Sequence, residues 1–106
     1  MSKTSCCAGT SIPPELCSLT ASLKVIAEEH RLKILCLLRD GEHCVCEILP
    51  ALALPQNLTS HHLKVLRDAG FISSRKDGQK VFYSLNRSAL DQIVTQLGGH
   101  FTGVNA

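Results

Sequence analysis

The hydrophobic period of this chain changes at Gly70, and that change limits its fold more than any single motif. Before Gly70, apolar residues recur at helical spacing, on one face of each successive segment. After it come two short β-type runs, Phe71-Ile72-Ser73-Ser74-Arg75 and Lys80-Val81-Phe82-Tyr83-Ser84-Leu85. Lys76-Asp77-Gly78-Gln79 separates them, and Asp-Gly is a strong hairpin signal because both residues tolerate positive φ. Helical spacing then returns at Leu90, Ile93, Val94 and Leu97. A chain of 106 residues suits one domain with a modest core.

Local signals divide the helical part. Pro13-Pro14-Glu15 suits a helix start, and Leu16, Leu19, Leu23 and Ile26 predict a first helix over 14–27. Leu32, Leu35 and Cys36, flanked by Ile34, Leu37 and Leu38, predict a buried second helix ended by Asp40-Gly41. A third, over 44–53, turns Val45, Ile48 and Leu52 inward; Pro50 either kinks its last turn or shortens it. After Leu54-Pro55, a fourth runs over 56–69. Its inner face is Thr59, His62, Leu63 and Leu66, and its outer face is Asn57, Ser60, His61 and Lys64. Asn86 can cap a last helix over 87–97, stopped by Gly98-Gly99. Residues 1–12 are expected to form a flexible cysteine-bearing tail, 13–98 the domain, and 99–106 a second tail.

The expected fold is therefore mainly α with a β-hairpin: a winged helix-turn-helix of helices 1–4, a two-stranded wing and a C-terminal helix. In such a fold the second helix of the pair enters the major groove. Charge agrees. The net charge is only +2, but Lys64, Arg67, Arg75, Lys76, Lys80 and Arg87 meet only Asp68 and Asp77 between residues 61 and 87. A basic segment in a near-neutral chain suits a polyanion. Asn57, Ser60, His61 and Lys64 are the candidate groove-facing residues; Arg75, Lys76 and Lys80 suit phosphate contact from the wing.

Cys44-Val45-Cys46 lies where the third helix begins. No apolar run approaches the roughly 18 residues of a membrane span, and the first residues lack a basic-then-apolar signal pattern. A cytoplasmic location is expected, where thiols stay reduced, so the six cysteines argue for ligands or buried groups rather than a disulfide framework. Thiolates select As(III), Sb(III), Cd(II), Pb(II), Hg(II) and Cu(I) over hard cations. Residues i and i+2 of a helix point roughly 200° apart. Cys44 and Cys46 therefore either precede the helix or grip one ion by unwinding its first turn; the second is the expected mechanism. Two thiols are too few for the three sulfurs of As(III) or the four of Cd(II), and Cys6-Cys7 is the obvious source of more. Cys36 is expected in the core, Cys17 is a weaker candidate facing the tail, and His43 is read as an exposed loop residue.

Three segments in this order carry a family resemblance: Glu42-x-Cys44-Val45-Cys46-Glu47, then Ser60-His61-His62-Leu63-Lys64-Val65-Leu66-Arg67-x-Ala69-Gly70, then Arg75-Lys76-x-Gly78-x-x-Val81-x-Tyr83. Over residues 14–97 the chain resembles the ArsR/SmtB family of metal- and metalloid-responsive repressors. The resemblance implies a homodimer, formed by the first and last helices, that holds an inverted-repeat operator until a toxic ion binds. It also implies Cys44 and Cys46 as ion ligands, as in the arsenic- and cadmium-responsive branches, with Cys6 or Cys7 added from the tail of one subunit to the other. Pro55 stands where the family usually has a serine, so the recognition helix is expected to lack a side-chain cap. Asp91 is present, but the histidines of the zinc-responsive last helix are not.

The expected function is a repressor released by As(III)/Sb(III), with Cd(II)/Pb(II) and a four-sulfur site as the alternative. A thiol redox or persulfide sensor on the same fold is a further alternative. A thiol enzyme or ion carrier is disfavoured, since there is no Cys-x-x-Cys, no acid–base constellation and no phosphate loop. No organic cofactor and no membrane partner are expected.

Overall fold

The computed structural model describes residues 12–102. In chain order it contains α1 (Glu15–Ile26), α2 (Glu29–Leu37), β1 (His43–Cys44), α3 (Val45–Leu52), α4 (Gln56–Asp68), β2 (Ile72–Asp77), β3 (Lys80–Leu85) and α5 (Arg87–Leu97). A 3-10 turn over Leu38–Asp40 extends α2, and a π-helical turn over Gly98–Thr102 extends α5. This is the expected winged helix-turn-helix, mainly α with a basic hairpin.

Caps fix where the helices begin. The Glu28 carboxylate accepts from the backbone N–H groups of His30 at 2.8 Å and Arg31 at 2.9 Å, starting α2. Asn86 accepts from the N–H of Ala89 at 3.3 Å and starts α5. Its amide also donates to the Gly70 carbonyl at 2.8 Å, tying the start of α5 to the end of α4. α4 begins at Pro55 with no side-chain cap, as the resemblance led one to expect.

Each helix then buries one stripe. Ile34 and Leu38 from α2 and its extension, Ile48 from α3, and Leu63 and Leu66 from α4 are almost wholly buried. Leu19, Phe71, Ile72, Tyr83 and Ile93 close the core from α1, the sheet and α5. The inner face expected for α4 is the one observed. Thr59 lies at its centre with no exposure, and its Oγ1 has no hydrogen-bond partner among the described residues.

Several expectations are corrected. The two-stranded wing β2–β3 is present, but a third, unexpected strand joins its sheet: β1 pairs with β3, giving the antiparallel order β1-β3-β2. His43 lies opposite Tyr83, and Cys44 opposite Phe82. A two-residue strand has no periodicity to read, so only its partner defines it. Consequently α3 starts at Val45 rather than 44. Pro50 does fall inside it.

In α2, Cys36 and Leu32 are exposed rather than buried. They sit one helical turn apart on the face opposite Ile34 and Leu38. The hairpin loop is Gly78-Gln79, since Asp77 still pairs with Lys80. Positive φ is needed only at Gly78 (64°), the pattern of a Gly-first loop rather than an Asp-Gly one. Val94 on α5 is 59% exposed; α5 ends at Leu97 with Gly98 as its C-cap, as expected, but a π-helical turn follows it.

Candidate ion site and DNA-reading face

Cys44 is the N-cap of α3, with extended backbone (φ −72°, ψ 148°), and it is buried. Its Sγ accepts from the N–H of Cys46 at 3.2 Å. Its own N–H donates to the Glu47 carboxylate at 2.9 Å, completing a reciprocal capping box in which sulfur replaces the usual hydroxyl. The His43 ring meets the same carboxylate at 3.3 Å. The Cys44 N–H bond, set against desolvation and aided by His43, holds the Glu47 pKa below its ordinary value.

Cys46, the second helical residue, is exposed. Only one of the two cysteines is therefore helical, so the opposed geometry of two helical thiols does not arise. The thiols interact: the hydrogen bond with the Cys44 side chain, then desolvation, raise the Cys46 pKa above that of an ordinary thiol, while Lys80 opposes. An ion captured there must displace a proton.

Pro50 has a local consequence. In a regular helix its N–H would donate to the Cys46 carbonyl. Proline has none, so the turn that carries Cys46 lacks one helical bond.

The other cysteines are placed differently. Cys36 is free and exposed, accepts from the Arg39 guanidinium at 2.7 Å, and lines a cavity of about 370 Å³ between α2 and α3. Cys17 is half-buried on α1. Cys6 and Cys7 lie outside the described residues.

On α4, Asn57, Ser60, His61 and Lys64 are all exposed and share the outer face. Lys64 pairs with Asp68 at 2.9 Å along the helix. His62 points the other way, towards the start of α2. It accepts from Arg31 Nε at 3.2 Å, stacks on His30 with ring centroids 5.7 Å apart, and lies 3.9 Å from the Glu28 carboxylate. Burial pushes the His62 pKa down; the Glu28 charge opposes this and Arg31 adds to it.

Burial also works against ionisation of Glu28. The bonds from Arg31 and His30 outweigh it and hold its pKa at about 2. The ligand atoms of Glu28, His30 and His62 lie within 4.8 Å of one another, a spacing that suits a metal. Arg31, however, already places its guanidinium on the His62 acceptor, where it repels a cation. The cluster is better read as a clamp between α2 and α4.

On the wing, Lys76 and Lys80 are exposed. Arg75 is not a free cation: its guanidinium donates to Glu42 through Nε at 2.7 Å and Nη2 at 2.8 Å. Sequence reasoning missed this fork because Glu42 and Arg75 are far apart along the chain.

The chain matches the family described as "Bacterial regulatory protein, arsR family" over residues 28–74. It is 42% identical over 79 residues to the arsenical resistance operon repressor of Staphylococcus aureus, across 74% of this chain and 76% of that one. It is 34% identical over 85 residues to the cadmium resistance transcriptional regulatory protein CadC of Listeria innocua, across 79% of this chain and 71% of that one. The solved structure of HlyU from Vibrio cholerae superposes with a TM-score of 0.70 at 34% identity, covering 85% of this chain and 98% of that one. HlyU is named as a transcriptional activator. Among the described residues no helix is long and apolar enough to cross a membrane.

Proposed function

The chain belongs to the ArsR family of bacterial DNA-binding transcriptional regulators, and on that premise we propose that it is a repressor released from its operator by a thiophilic ion held by Cys44 and Cys46. It is not an enzyme; the relatives it matches are regulators of transcription. The observation that carries the ion site is the position of Cys44, whose sulfur caps the first helix of the DNA-binding pair and accepts from the backbone N–H of Cys46.

Soft sulfur donors favour As(III) or Sb(III), and the similarity to an arsenical resistance repressor supports that class. Cd(II) or Pb(II) in a four-sulfur site is the alternative, supported by the similarity to a cadmium resistance regulator. Cys6 or Cys7 supplies the third sulfur, within a subunit or from its partner, and a four-sulfur site needs one more. The ion acts through the start of α3. Drawing the Cys44 and Cys46 sulfurs onto one centre deforms the capping box, and the turn already lacks the bond that Pro50 cannot make. α3 then shifts against α4, which reads the operator.

Asn57, Ser60 and His61 reach base edges in the major groove, Lys64 a phosphate, and Lys76 and Lys80 the backbone beside the wing. The active form is a cytoplasmic homodimer on an inverted-repeat operator. Exposed Val94 on α5, with Ile12 before α1 and Phe101 after α5, supports an apolar dimer face at that end.

The test is a gel shift on the operator against arsenite, antimonite, Cd(II), Pb(II), Zn(II) and a persulfide donor, for the wild type, Cys44→Ser and Cys6→Ser/Cys7→Ser. Release by arsenite that Cys44→Ser abolishes supports the reading. Release by Cd(II) alone moves it to the cadmium class, and release by persulfide alone to a redox sensor. A Cys44→Ser protein that responds like the wild type overturns it.

A further inference from the structure

Resting on this reading of Cys44 and Cys46, we propose that Arg75 is a positioning residue that fastens the wing to the ion-binding segment, so that ion capture loosens the wing as well as the helix pair.

The strand register carries the argument. Cys44 lies opposite Phe82, and Phe82 lies opposite Arg75, so the three residues form one row across the sheet. The Arg75 guanidinium lies over the Phe82 ring, 4.8 Å from its centroid. From there it closes a two-bond fork on Glu42, two residues before Cys44. The ion-binding segment is thus held to the wing twice: by the short β1–β3 pairing and by the Arg75 fork. Among the described residues no other side-chain hydrogen bond joins residues 42–47 to the hairpin.

A bidentate guanidinium–carboxylate pair is directional, so a small movement breaks it. The pair is only partly exposed, with side-chain accessibilities of 53% for Arg75 and 33% for Glu42. An ion that draws Cys44 and Cys46 together moves the backbone at Glu42 and opens the fork. The wing then loses its anchor on the body of the domain. On this reading the Arg75 fork serves Glu42, and Lys76 and Lys80 carry the phosphate contacts of the wing. Removing one of the contacts that couple two sites must remove its share of the coupling, and in both directions.

The experiment measures operator affinity with and without arsenite, direct arsenite binding, and the salt dependence of operator binding. The proteins are the full-length wild type, Glu42→Gln, Arg75→Gln, the exchange Glu42→Arg/Arg75→Glu, and Cys44→Ser. Arsenite weakens wild-type operator binding by a coupling ratio that lies between about 5- and 150-fold for most such systems. The expected result is a fall of that ratio by about fivefold or more in Glu42→Gln and Arg75→Gln, with arsenite still bound. The exchange should restore it to within about twofold, and the salt slope of Arg75→Gln should equal that of the wild type.

A salt slope reduced by about 0.9 in Arg75→Gln with an unchanged ratio makes Arg75 a phosphate ligand and overturns the proposal. An unchanged ratio in both single variants, with Cys44→Ser unresponsive, overturns it while leaving the ion site standing. A fully responsive Cys44→Ser overturns both.

Discussion

The backbone N–H of Cys46 donates to the sulfur of Cys44 at 3.2 Å, so one sulfur is both a helix cap and a candidate ion ligand. On the proposed function, helix stability and ion sensing meet in a single atom, and substitution can separate them.

Cys44→Ser keeps an acceptor at the cap and should melt within a few degrees of the wild type while losing arsenite release. Cys44→Ala removes the cap and should cost about 1 kcal/mol in urea unfolding, in addition to losing the response. A Cys44→Ser protein with the wild-type arsenite dose would sink the ligand assignment.

Pro50→Ala returns an N–H opposite the Cys46 carbonyl. The exposed position tolerates the change, so the protein should gain about 1 kcal/mol, and at most about 3 kcal/mol. If release passes through the first turn of α3, a stiffer turn should need several-fold more arsenite. A higher melting temperature with an unchanged arsenite dose would place the release step elsewhere.

Thr59 buries a hydroxyl with no partner in the centre of the α4 inner face. Thr59→Val keeps the shape and removes the polar atom, and should stabilise the fold by about 1 kcal/mol in denaturant titration. Operator affinity should not change, because the side chain faces away from the DNA. A loss of stability would mean that the hydroxyl is bonded in solution.

Acid should unfold the protein in two stages, both from the clamp between α2 and α4. Glu28 titrates at about 2 in the fold against an ordinary 4.5, so its contribution is present above about pH 4.5 and fades as pH falls towards 2. The His62 pKa is lowered from 6.5, so the fold favours the neutral ring. That contribution is full above pH 6.5 and is lost as the pH drops below it, where the unfolded ring takes up the proton. Melting temperature against pH should be flatter between pH 2 and 4.5 in Glu28→Gln, and flatter just below pH 6.5 in His62→Gln. Unchanged profiles would remove the clamp from the account of acid stability.

The DNA face predicts a division between charge and readout. Lys76→Ala and Lys80→Ala should each lower the salt slope of operator binding by about 0.9, with little change in sequence preference. Asn57→Ala should instead cost about 1–3 kcal/mol at one operator position and leave the slope alone. A lower slope for Asn57→Ala, or a shifted preference for the lysine variants, would reverse the assignment.

The sequence by itself determined the order of the helices and the hairpin, the inner face of α4, the Asn86 cap and the proximity of two thiols to a helix start. All of these are local: a few consecutive residues set the period, the cap or the spacing. Tertiary structure alone decided the rest. His43-Cys44 is a strand only because β3 lies beside it, and that pairing takes Cys44 out of the helix and makes it the cap. Cys36 reads as core from its place in the apolar pattern of α2, yet packing turns Ile34 and Leu38 inward and leaves it outside. Arg75 reads as an isolated wing cation in the sequence, and only the fold brings Glu42 to it. Each is a pairing between distant positions, and such pairings leave no periodic trace along a single chain.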